Sequence, residues 1–390
     1  MAIAVADLLF GTSGWSYKEW VGPVYPSNTR MFSFYAQFFQ TAEINSTFYA
    51  YPKQPVIYGL NRVSPPSFVF SAKLPRIITH QKRLDLKQKV ENYLFRFLDL
   101  LQPLYASGKL GCLLIQLPPS FRYPQDQKNL ATFLEILPQS YDFAVEFRDL
   151  SWMRDDTWRL LAKHEVAYCI VDEPLLPPDV QITTDFAYFR WHGHGSRLWY
   201  DYHYSQPELQ AWVPRIEETR DHVSKIYGYF NNHFHGYAVE NCVEILEMLD
   251  AVTKKQASIK TKIQNYNTKK PLLNPPLTEF SASQEINDMQ SLFLQLTDQG
   301  RITRGLKLSE PILTQKSNTY ISGTLRKYLF DIDVVQKTIR HNCGDWQKGV
   351  HQKRLCKHVI KLFSSLPPPQ ATTILLDIIQ NKSQWQFLAE

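Results

Sequence analysis

Cysteine is scarce in this chain of 390 residues, and no apolar run approaches the roughly 20 residues that cross a bilayer. The five cysteines are an odd number in a long sequence, which excludes the disulfide framework of a small secreted domain. The first ten residues contain Asp7 and no basic residue, so they make a poor secretory signal. We therefore expect a cytoplasmic protein that does not associate with membranes.

The sequence also lacks a dinucleotide-binding motif, a strong excess of either charge and any internal repeat. No Gly-x-Gly-x-x-Gly follows the first predicted strand, so nothing supports a nicotinamide or flavin cofactor. Lysine and arginine number 43 against 37 aspartates and glutamates, and the net charge of +6 permits an anionic partner without requiring one. An apolar content of 44% and the length of the chain allow two domains with sizeable cores.

Short β-rich runs alternate with helix-length segments from residue 8 to about residue 250. Several runs are continuously apolar, as in Gly111–Gln116, which is typical of strands buried on both faces of a parallel sheet. Eight strands with seven crossovers predict an α/β fold of the TIM type, a (β/α)8 barrel, with a doubly wound open sheet as the alternative. The predicted strands are Leu8–Ser13, Thr41–Thr47, Ser67–Pro75, Leu110–Pro118, Tyr141–Asp149, Val166–Pro174, Phe186–Gly193 and Lys225–Asn232.

Polar side chains collect at the carboxyl ends of these predicted strands. In a (β/α)8 barrel those ends meet at one mouth, where active sites lie, and folding does not require polar residues there. The mouth is therefore predicted to bind a small anionic ligand. The candidate catalytic residues are Glu43, Glu146, Asp172 and His192, and the candidate substrate-binding residues are Trp15, Asn45, Lys73, Gln116, Arg148, Arg190, Asn231 and Asn232.

Two kinds of chemistry fit this set of side chains. In the first, Lys73, Arg148 and Arg190 hold an anionic group while a carboxylate and His192 exchange protons near neutral pH. That describes a hydrolase or lyase acting on a phosphorylated or nucleic-acid-related substrate. In the second, the carboxylates and His192 bind a divalent metal, although two arginines at the same place would repel a cation.

Two further alternatives remain open for the barrel mouth. Glu43 and Glu146 could act as the paired carboxylates of a glycosidase, with Trp15, Tyr17 and Tyr49 stacking on a sugar ring. The barrel could instead be a non-catalytic binding or scaffold module, an interpretation that gains if salt bridges to arginines consume every strand-end carboxylate.

A second candidate site lies near the end of the sequence, where two pairs of metal-ligand residues each have a one-residue gap. His341 and Cys343 form the first pair, and Cys356 and His358 form the second after twelve intervening residues. Residues i and i+2 of an extended segment point to the same side, and Cys356 opens an apolar run that indicates a helix start. Two thiolates and two imidazoles complete a tetrahedral zinc site that leaves no position for water. We predict a structural Zn²⁺ here.

Seven motifs in the first 250 residues occur in the order found in the YecE-like family, domain-of-unknown-function family 72, which this part of the chain resembles. The resemblance implies a TIM-type barrel and leaves the chemistry to be argued from the site. The motifs are Gly11–Tyr17, Glu43–Tyr49, Phe70–Lys73, Gln116–Phe121, Val145–Arg148, Arg190–Gly193 and Phe230–Asn232.

The segment from Tyr320 to Phe363 resembles a SWIM zinc finger, in which a hairpin precedes a C-x-C, spacer, C-x-H pattern. His341 stands where the first cysteine of that pattern is usual, and imidazole is itself a competent zinc ligand. The resemblance implies a zinc-stapled module that binds nucleic acid or a protein partner.

The composition changes after Asp250, which predicts a domain boundary. Residues 252–270 contain six lysines and no acidic residue, and prolines in Pro271–Pro276 favour an extended connector. Clustered lysines of this kind are typical either of a solvent-exposed linker or of a segment that contacts a nucleic-acid backbone. We expect a barrel over residues 1–251, a basic, proline-containing linker over 252–283 and a zinc-finger domain with flanking helices over 284–390.

Overall fold

The computed structural model describes residues 6–28, 30–195, 199–269, 292–317, 319–366 and 368–389. The described residues divide into two compact units, the first within residues 6–269 and the second within residues 292–389. Within the described ranges, no helix has both the length and the apolar character that crossing a membrane requires.

Eight parallel strands form the sheet of the first unit. They pair in the order β1-β8-β7-β6-β5-β4-β3-β2, and a parallel bridge between Ser13 and Glu43 brings the two end strands together. The sheet is therefore a nearly closed TIM-like barrel, which confirms the predicted fold class and excludes the open doubly wound alternative. The strands are β1 (Asp7–Thr12), β2 (Thr41–Ile44), β3 (Val69–Lys73), β4 (Leu110–Gln116), β5 (Phe143–Glu146), β6 (Ala167–Asp172), β7 (Phe186–Trp191) and β8 (Lys225–Phe230).

Helices of the first unit connect these strands and cover the barrel wall. In α5, Asp155 and Asp156 occupy the first turn, where carboxylates offset the positive end of the helix dipole, and Leu161 is buried. The helices are α1 (Met31–Tyr35), α2 (Gln54–Val63), α3 (Val90–Ala106), α4 (Gln127–Glu135), α5 (Asp155–Lys163), α6 (Gln206–Gln210), α7 (Val213–Arg220), α8 (Tyr237–Met248) and α9 (Lys254–Lys269).

Two apolar clusters lie on the two faces of the barrel wall. Cys112 and Leu114 of β4 pack inside the barrel with Tyr188, whereas Leu113 and Ile115 belong to the larger cluster that includes the helices. Alternate residues of a strand face opposite sides, so a strand buried on both faces needs apolar residues at successive positions. This arrangement explains the continuous apolar run in β4.

The lysine-rich segment after Asp250 differs from the expected linker, because residues 254–269 form α9. Ile259 and Ile263 of this helix are buried in the apolar cluster of the barrel, and Lys260 forms an ion pair with Glu247 of α8. Isoleucines four residues apart share one face of a helix, and a count of lysines alone conceals that spacing. The first unit therefore extends beyond residue 251, and residues 270–283 of the expected linker lie outside the described residues.

A five-stranded sheet and several helices form the second unit. The strand order is β13-β12-β11-β10-β9, antiparallel except for the parallel pair of β12 and β13. Trp346 and Trp385 are fully buried in its apolar core. The elements are α10 (Gln299–Leu306), β9 (Ile312–Lys316), β10 (Tyr320–Leu325), β11 (Tyr328–Asp333), β12 (Thr338–His341), α11 (Gly344–Gly349), α12 (Lys357–Ser365), α13 (Pro368–Gln380) and β13 (Gln386–Ala389).

Candidate functional site

The alternation of side chains along each strand decides which residues reach the barrel interior. Tyr188, Arg190 and His192 follow each other at intervals of two along and just after β7, so they project to the same side. Phe189 and Trp191, which lie between them, pack in the cluster that includes the helices. The interior side of β7 therefore carries a phenol, a guanidinium and an imidazole towards the mouth.

Arg190 is the centre of a buried charged network inside the barrel. One of its terminal nitrogens donates to Glu146 Oε2 at 2.6 Å and the other donates to Glu43 Oε1 at 2.8 Å. Ser13 Oγ lies 3.3 Å from the second nitrogen, and Tyr188 donates its hydroxyl to Glu43 Oε2 at 2.6 Å. Both glutamates are completely buried, so each carboxylate depends on these partners to replace water.

Arg148 extends the network towards the outer edge of the mouth. Its terminal nitrogens form ion pairs with Glu146 and Glu173, and Gln116 Nε2 donates to the Oε1 atom of Glu146 at 2.8 Å. The side chain of Arg148 keeps 13% of its surface exposed, against 1% for Arg190. Arg148 is therefore the guanidinium of the pair that is closer to solvent.

The two carboxylates bound by Arg148 have opposite pKa shifts. Burial alone would raise the pKa of Glu146, but Arg148 and Arg190 together hold that pKa well below its ordinary value. Burial raises the pKa of Glu173 from 4.5 to about 7, because Arg148 and Arg190 offset the burial only in part and the negative charges of Glu146 and Asp172 raise this pKa further. Glu173 Oε1 is buried and has no hydrogen-bond partner within the described residues. Glu146 is thus a permanent anion, whereas Glu173 exchanges a proton near neutral pH.

His192 joins the network as a neutral ring. Its Nε2 atom lies 3.0 Å from Arg148 Nη2 and 3.3 Å from Arg190 Nη1, and Nδ1 lies 3.1 Å from the side-chain amide of Asn231. Burial and the two guanidiniums lower the pKa of His192 to about 3. The expectation that this imidazole exchanges protons near neutral pH is therefore wrong, and the ring instead contacts the arginines as an uncharged group.

Lys73 and Asn45 lie at the same end of neighbouring strands. Lys73 ends β3, is 8% exposed, and places Nζ 3.9 Å from the centroid of the Phe48 ring. Burial, followed by the nearby Arg190 guanidinium, lowers the pKa of Lys73 from 10.5 to about 7. Asn45 donates through Nδ2 to the backbone carbonyl of Ser13 at 3.3 Å, where it joins the ends of β1 and β2.

The structure does not bring Asp172, Asn232 or Trp15 into this network. Asp172 accepts from Trp212 Nε1 at 2.8 Å, and its other oxygen lies 2.5 Å from His194 Nε2. Asn232 donates to the carbonyl of Tyr202 and to the side chain of Asn241. Strand parity is the reason in both cases, because Asp172 and Asn232 alternate with the interior-facing residues of β6 and β8. The ring of Trp15 packs in the core against two phenylalanines.

Two members of the network, Glu173 and Tyr188, are not among the residues predicted from the sequence. Cys169 and Val171 face the barrel interior, so counting onward by two reaches Glu173 rather than Asp172. The same count along β7 connects Tyr188 with Arg190. The signal was therefore present in the strand parity, whereas polarity alone did not distinguish adjacent residues.

The metal and glycosidase alternatives fit this geometry poorly. Ligand atoms of Glu146, Glu173 and His192 lie within 4.8 Å of one another, but guanidinium nitrogens of Arg148 contact all three side chains. A divalent cation would have to displace or adjoin those positive charges. Glu43 and Glu146, the proposed glycosidase pair, both bind Arg190 rather than flanking an open cleft.

The second unit brings its four predicted ligands together. One ligand atom from each of His341, Cys343, Cys356 and His358 lies within 4.8 Å of the others, and all four residues are buried. His341 ends β12, and Cys343 and Cys356 are the N-cap residues of α11 and α12. The end of β12 and the starts of α11 and α12 therefore direct these four side chains towards one another.

The chemistry of these four side chains fits a zinc ion. His341 Nδ1 lies 2.5 Å from the carbonyl of Leu329, an arrangement that leaves Nε2 as the ligand atom. His341 Nε2 and His358 Nδ1 are buried without a hydrogen-bond partner in the described part of the chain, and Trp346 N donates to Cys343 Sγ at 3.3 Å. Tetrahedral zinc with bonds of about 2.0–2.3 Å places its ligand atoms roughly 3.3–3.8 Å apart. The four ligand atoms would therefore need to move only slightly closer together to bind a zinc ion.

The barrel and its charged mouth define the first unit as a TIM-type barrel protein with a candidate site at the carboxyl ends of its strands. Residues 9–265 match the family described as "Protein of unknown function DUF72". The chain therefore belongs to the DUF72 family, which confirms the YecE-like resemblance. The family match ends at residue 265, so the SWIM resemblance depends on the residues of the second unit alone.

The proteins to which this chain is similar align with its barrel. UPF0759 protein YunF of Bacillus subtilis (strain 168) is 24% identical over 267 residues, which are 62% of this chain and 95% of YunF. UPF0759 protein YecE of Escherichia coli (strain K12) is 30% identical over 141 residues, 36% of this chain and 48% of YecE. The crystal structure of a DUF72 family protein from Thermotoga maritima has 33% sequence identity and a TM-score of 0.56, covering 63% of this chain and 99% of that one.

Proposed function

We propose that the barrel mouth is an enzyme site, a hydrolase or lyase site for a phosphorylated or nucleic-acid-related substrate. The observation that supports this most is the continuous network of Glu43, Arg190, Glu146, Arg148 and Glu173 at the carboxyl ends of the strands. Burying so many charges costs free energy that apolar residues of similar volume would not require. The network also lies where barrel enzymes place their catalytic groups.

In this proposal, Arg148 binds the substrate anion and Glu173 transfers the proton. When Glu173 takes up a proton, its ion pair with Arg148 weakens, and the more exposed guanidinium of the network can then hold a substrate anion. Protonated Glu173 then gives that proton to the leaving group, which returns Glu173 to its carboxylate form. Arg190 and Glu43 lie below and fix the orientation of Glu146, which in turn positions Arg148.

Hydrolysis of p-nitrophenyl phosphate and of bis(p-nitrophenyl) phosphate tests this proposal. Replacing Glu173 with Gln should lower kcat by about 10²–10⁴-fold, the usual contribution of a general acid or base. The exposed carboxylate Glu135 on α4 provides the matched control, because Glu135→Gln should leave the rate unchanged. Equal rates for Glu173→Gln and the unmodified protein would contradict the role of Glu173.

One observation favours a non-catalytic alternative. Both oxygens of Glu43 and both oxygens of Glu146 are already engaged by arginine, tyrosine or glutamine side chains, so neither carboxylate is available as a base. Glu173, with its unpartnered oxygen, is the carboxylate on which the enzyme proposal depends. If its replacement changes no activity and no anion affinity, the barrel is better described as a binding or scaffold module.

The second unit is, in the same proposal, a SWIM-type module in which His341, Cys343, Cys356 and His358 hold a structural zinc. The ion would supply a cross-link between β12 and α12 and no catalysis, since four protein ligands leave no open position. The module would deliver the barrel to nucleic acid or to a protein partner. Lys361 is paired with Glu310 and Lys353 donates to backbone carbonyls, so these two lysines are already used within the module.

A salt titration of binding distinguishes the two kinds of partner. Affinity for a labelled RNA or DNA duplex should fall steeply with ionic strength if phosphate contacts dominate. Replacing the exposed Lys348 with Gln should lower both the affinity and the salt slope, whereas the ion-paired Lys361 offers no such phosphate contact. An affinity independent of salt, or no binding at all, would favour a protein partner.

A further inference from the structure

Among the described residues, three lysines are buried to the same extent, and one of them lacks the partners of the other two. Lys73, Lys109 and Lys361 are each 8% exposed. Lys109 donates to two backbone carbonyls and a hydroxyl at 2.8–2.9 Å, and Lys361 is paired with Glu310 at 2.5 Å. Within the described residues, Lys73 Nζ forms no hydrogen bond and no salt bridge, and it lies 3.9 Å from the centroid of the Phe48 ring.

The position of Lys73 gives this difference a chemical meaning. A buried ammonium without a directly bonded carboxylate is costly. Burial and the nearby Arg190 and Arg148 guanidiniums lower the pKa of Lys73 to about 7, although the charges of Glu146 and Glu43 act in the opposite direction. These are the conditions under which a lysine loses its proton and becomes a nucleophile. Lys73 also ends β3 at the mouth of the barrel, on the same rim as the guanidinium of Arg148.

From these contacts we infer that Lys73 is a nucleophilic amine that forms an imine with the carbonyl group of a substrate bearing a carboxylate or phosphate. This inference rests on the proposed function of the mouth and specifies its substrate class. Arg148 holds the anionic group, and the hydrophobic face of Phe48 shields the amine on one side.

The step balances without any further reactant. The lone pair of the neutral amine attacks the carbonyl carbon, the carbonyl π bond breaks, and a proton passes from the nitrogen to the oxygen to give a neutral carbinolamine. A proton from solvent then converts the hydroxyl group to departing water, and the protonated imine that remains is an electron sink for cleavage or proton removal at the adjacent carbon. Water returns in the reverse sequence and releases the product and the free amine.

Borohydride trapping with pyruvate tests the inference on the full-length protein. Reduction should leave one stable adduct per chain, located by peptide mass mapping on Lys73. At pH 7 about half of an amine with a pKa near 7 is unprotonated, against on the order of one in 10³ for an ordinary lysine. Labelling of Lys73 should therefore exceed labelling of an exposed lysine by two to three orders of magnitude at pH 7, by about 25-fold at pH 9, and lose this selectivity above about pH 10.5.

Two variants control for folding and for burial. Lys73→Arg keeps the positive charge and removes the primary amine, so the adduct should disappear while the far-ultraviolet circular dichroism stays unchanged. Lys109→Arg alters an equally buried lysine whose amine is hydrogen-bonded, and it should leave the adduct on Lys73 intact. Adducts spread over exposed lysines with Lys73 unmodified would overturn the inference.

Arg148→Gln separates this inference from the proposed function. If Arg148→Gln weakens binding of inorganic phosphate while pyruvate never labels Lys73, the mouth binds anions and the imine is refuted. If pyruvate labels Lys73 equally in Arg148→Gln, the amine is nucleophilic but the assigned anion site is wrong.

Discussion

Loss of the zinc site should unfold the second unit while the barrel stays folded. Zinc in small structural sites contributes apparent free energies of about 10–16 kcal/mol at neutral pH, whereas whole domains are stable by only about 5–15 kcal/mol. Cys343 and Cys356 are buried in the core that also contains Trp346. Removing one thiolate therefore costs the metal and with it most of the free energy that holds β12, α11 and α12 together.

The expected result is a zinc content near one per chain that falls to the background level in Cys343→Ser and Cys356→Ser. Limited proteolysis should then cut within residues 292–389 and spare the barrel. Cys242→Ala is the matched control, because this cysteine is equally buried but lies in the barrel core. His351→Gln is the corresponding control for replacement of a histidine ligand, and it should leave the zinc content unchanged because His351 is exposed and outside the cluster.

Cobalt substitution adds a direct test of the ligands. Co²⁺ bound by two thiolates and two imidazoles should show a sulfur-to-cobalt charge-transfer band that weakens when one cysteine is replaced. Unchanged zinc content in Cys343→Ser, or a purified protein that neither contains nor takes up metal while residues 292–389 resist proteolysis, would refute the reasoning.

Three further predictions concern the stability of the barrel. Arg190→Met should lower the free energy of unfolding by about 3–5 kcal/mol, measured by urea denaturation, because Glu43 and Glu146 would stay buried without their partner; a smaller loss than for an exposed arginine would contradict this. Since the pKa of Glu173 is about 7 when folded and ordinarily 4.5, the folded state holds a proton that the unfolded state releases, and the contribution of Glu173 to stability should fall by about 3 kcal/mol as pH rises from 4.5 to 7, whereas the lowered pKa of His192 acts in the opposite direction over the same range. The difference in unfolding free energy between the unmodified protein and Glu173→Gln should therefore change by that amount across this range, and a difference independent of pH would rule the shift out. A Cβ at Gly11 would lie 2.4 Å from the Thr41 carbonyl, so Gly11→Ala should cost about 1–3 kcal/mol, whereas Gly59→Ala in α2 meets no atom within 4 Å and should be neutral or stabilising.

Prediction of the barrel from the sequence succeeded because its strands are buried on both faces. Such strands leave continuous apolar runs with polar residues directly after them, and both signals are local. The parity of those polar residues is local as well, and it distinguishes Glu173, which faces the interior, from Asp172, which polarity alone indicates. The convergence of His341, Cys343, Cys356 and His358 could be predicted because their spacing in the sequence is compact.

Other parts of the site could not be read locally. Tyr188 binds Glu43 across 145 positions of sequence, and only the closed barrel shows that the two side chains meet. The lowered pKa of His192 results from burial and from two guanidiniums, one just after β5 and one on β7. Pairing of charges within a core depends on three-dimensional proximity, which residue type and spacing alone do not encode.

The packing of α9 determines where this protein can be divided for separate study. A fragment that stops at residue 251 would lack Ile259 and Ile263 and would expose the apolar surface that they cover, together with Glu247 left without Lys260. Such a fragment should aggregate when expressed. A fragment that continues through Lys269 retains the helix. We expect this fragment, which lacks only the second unit, to purify as a monodisperse protein.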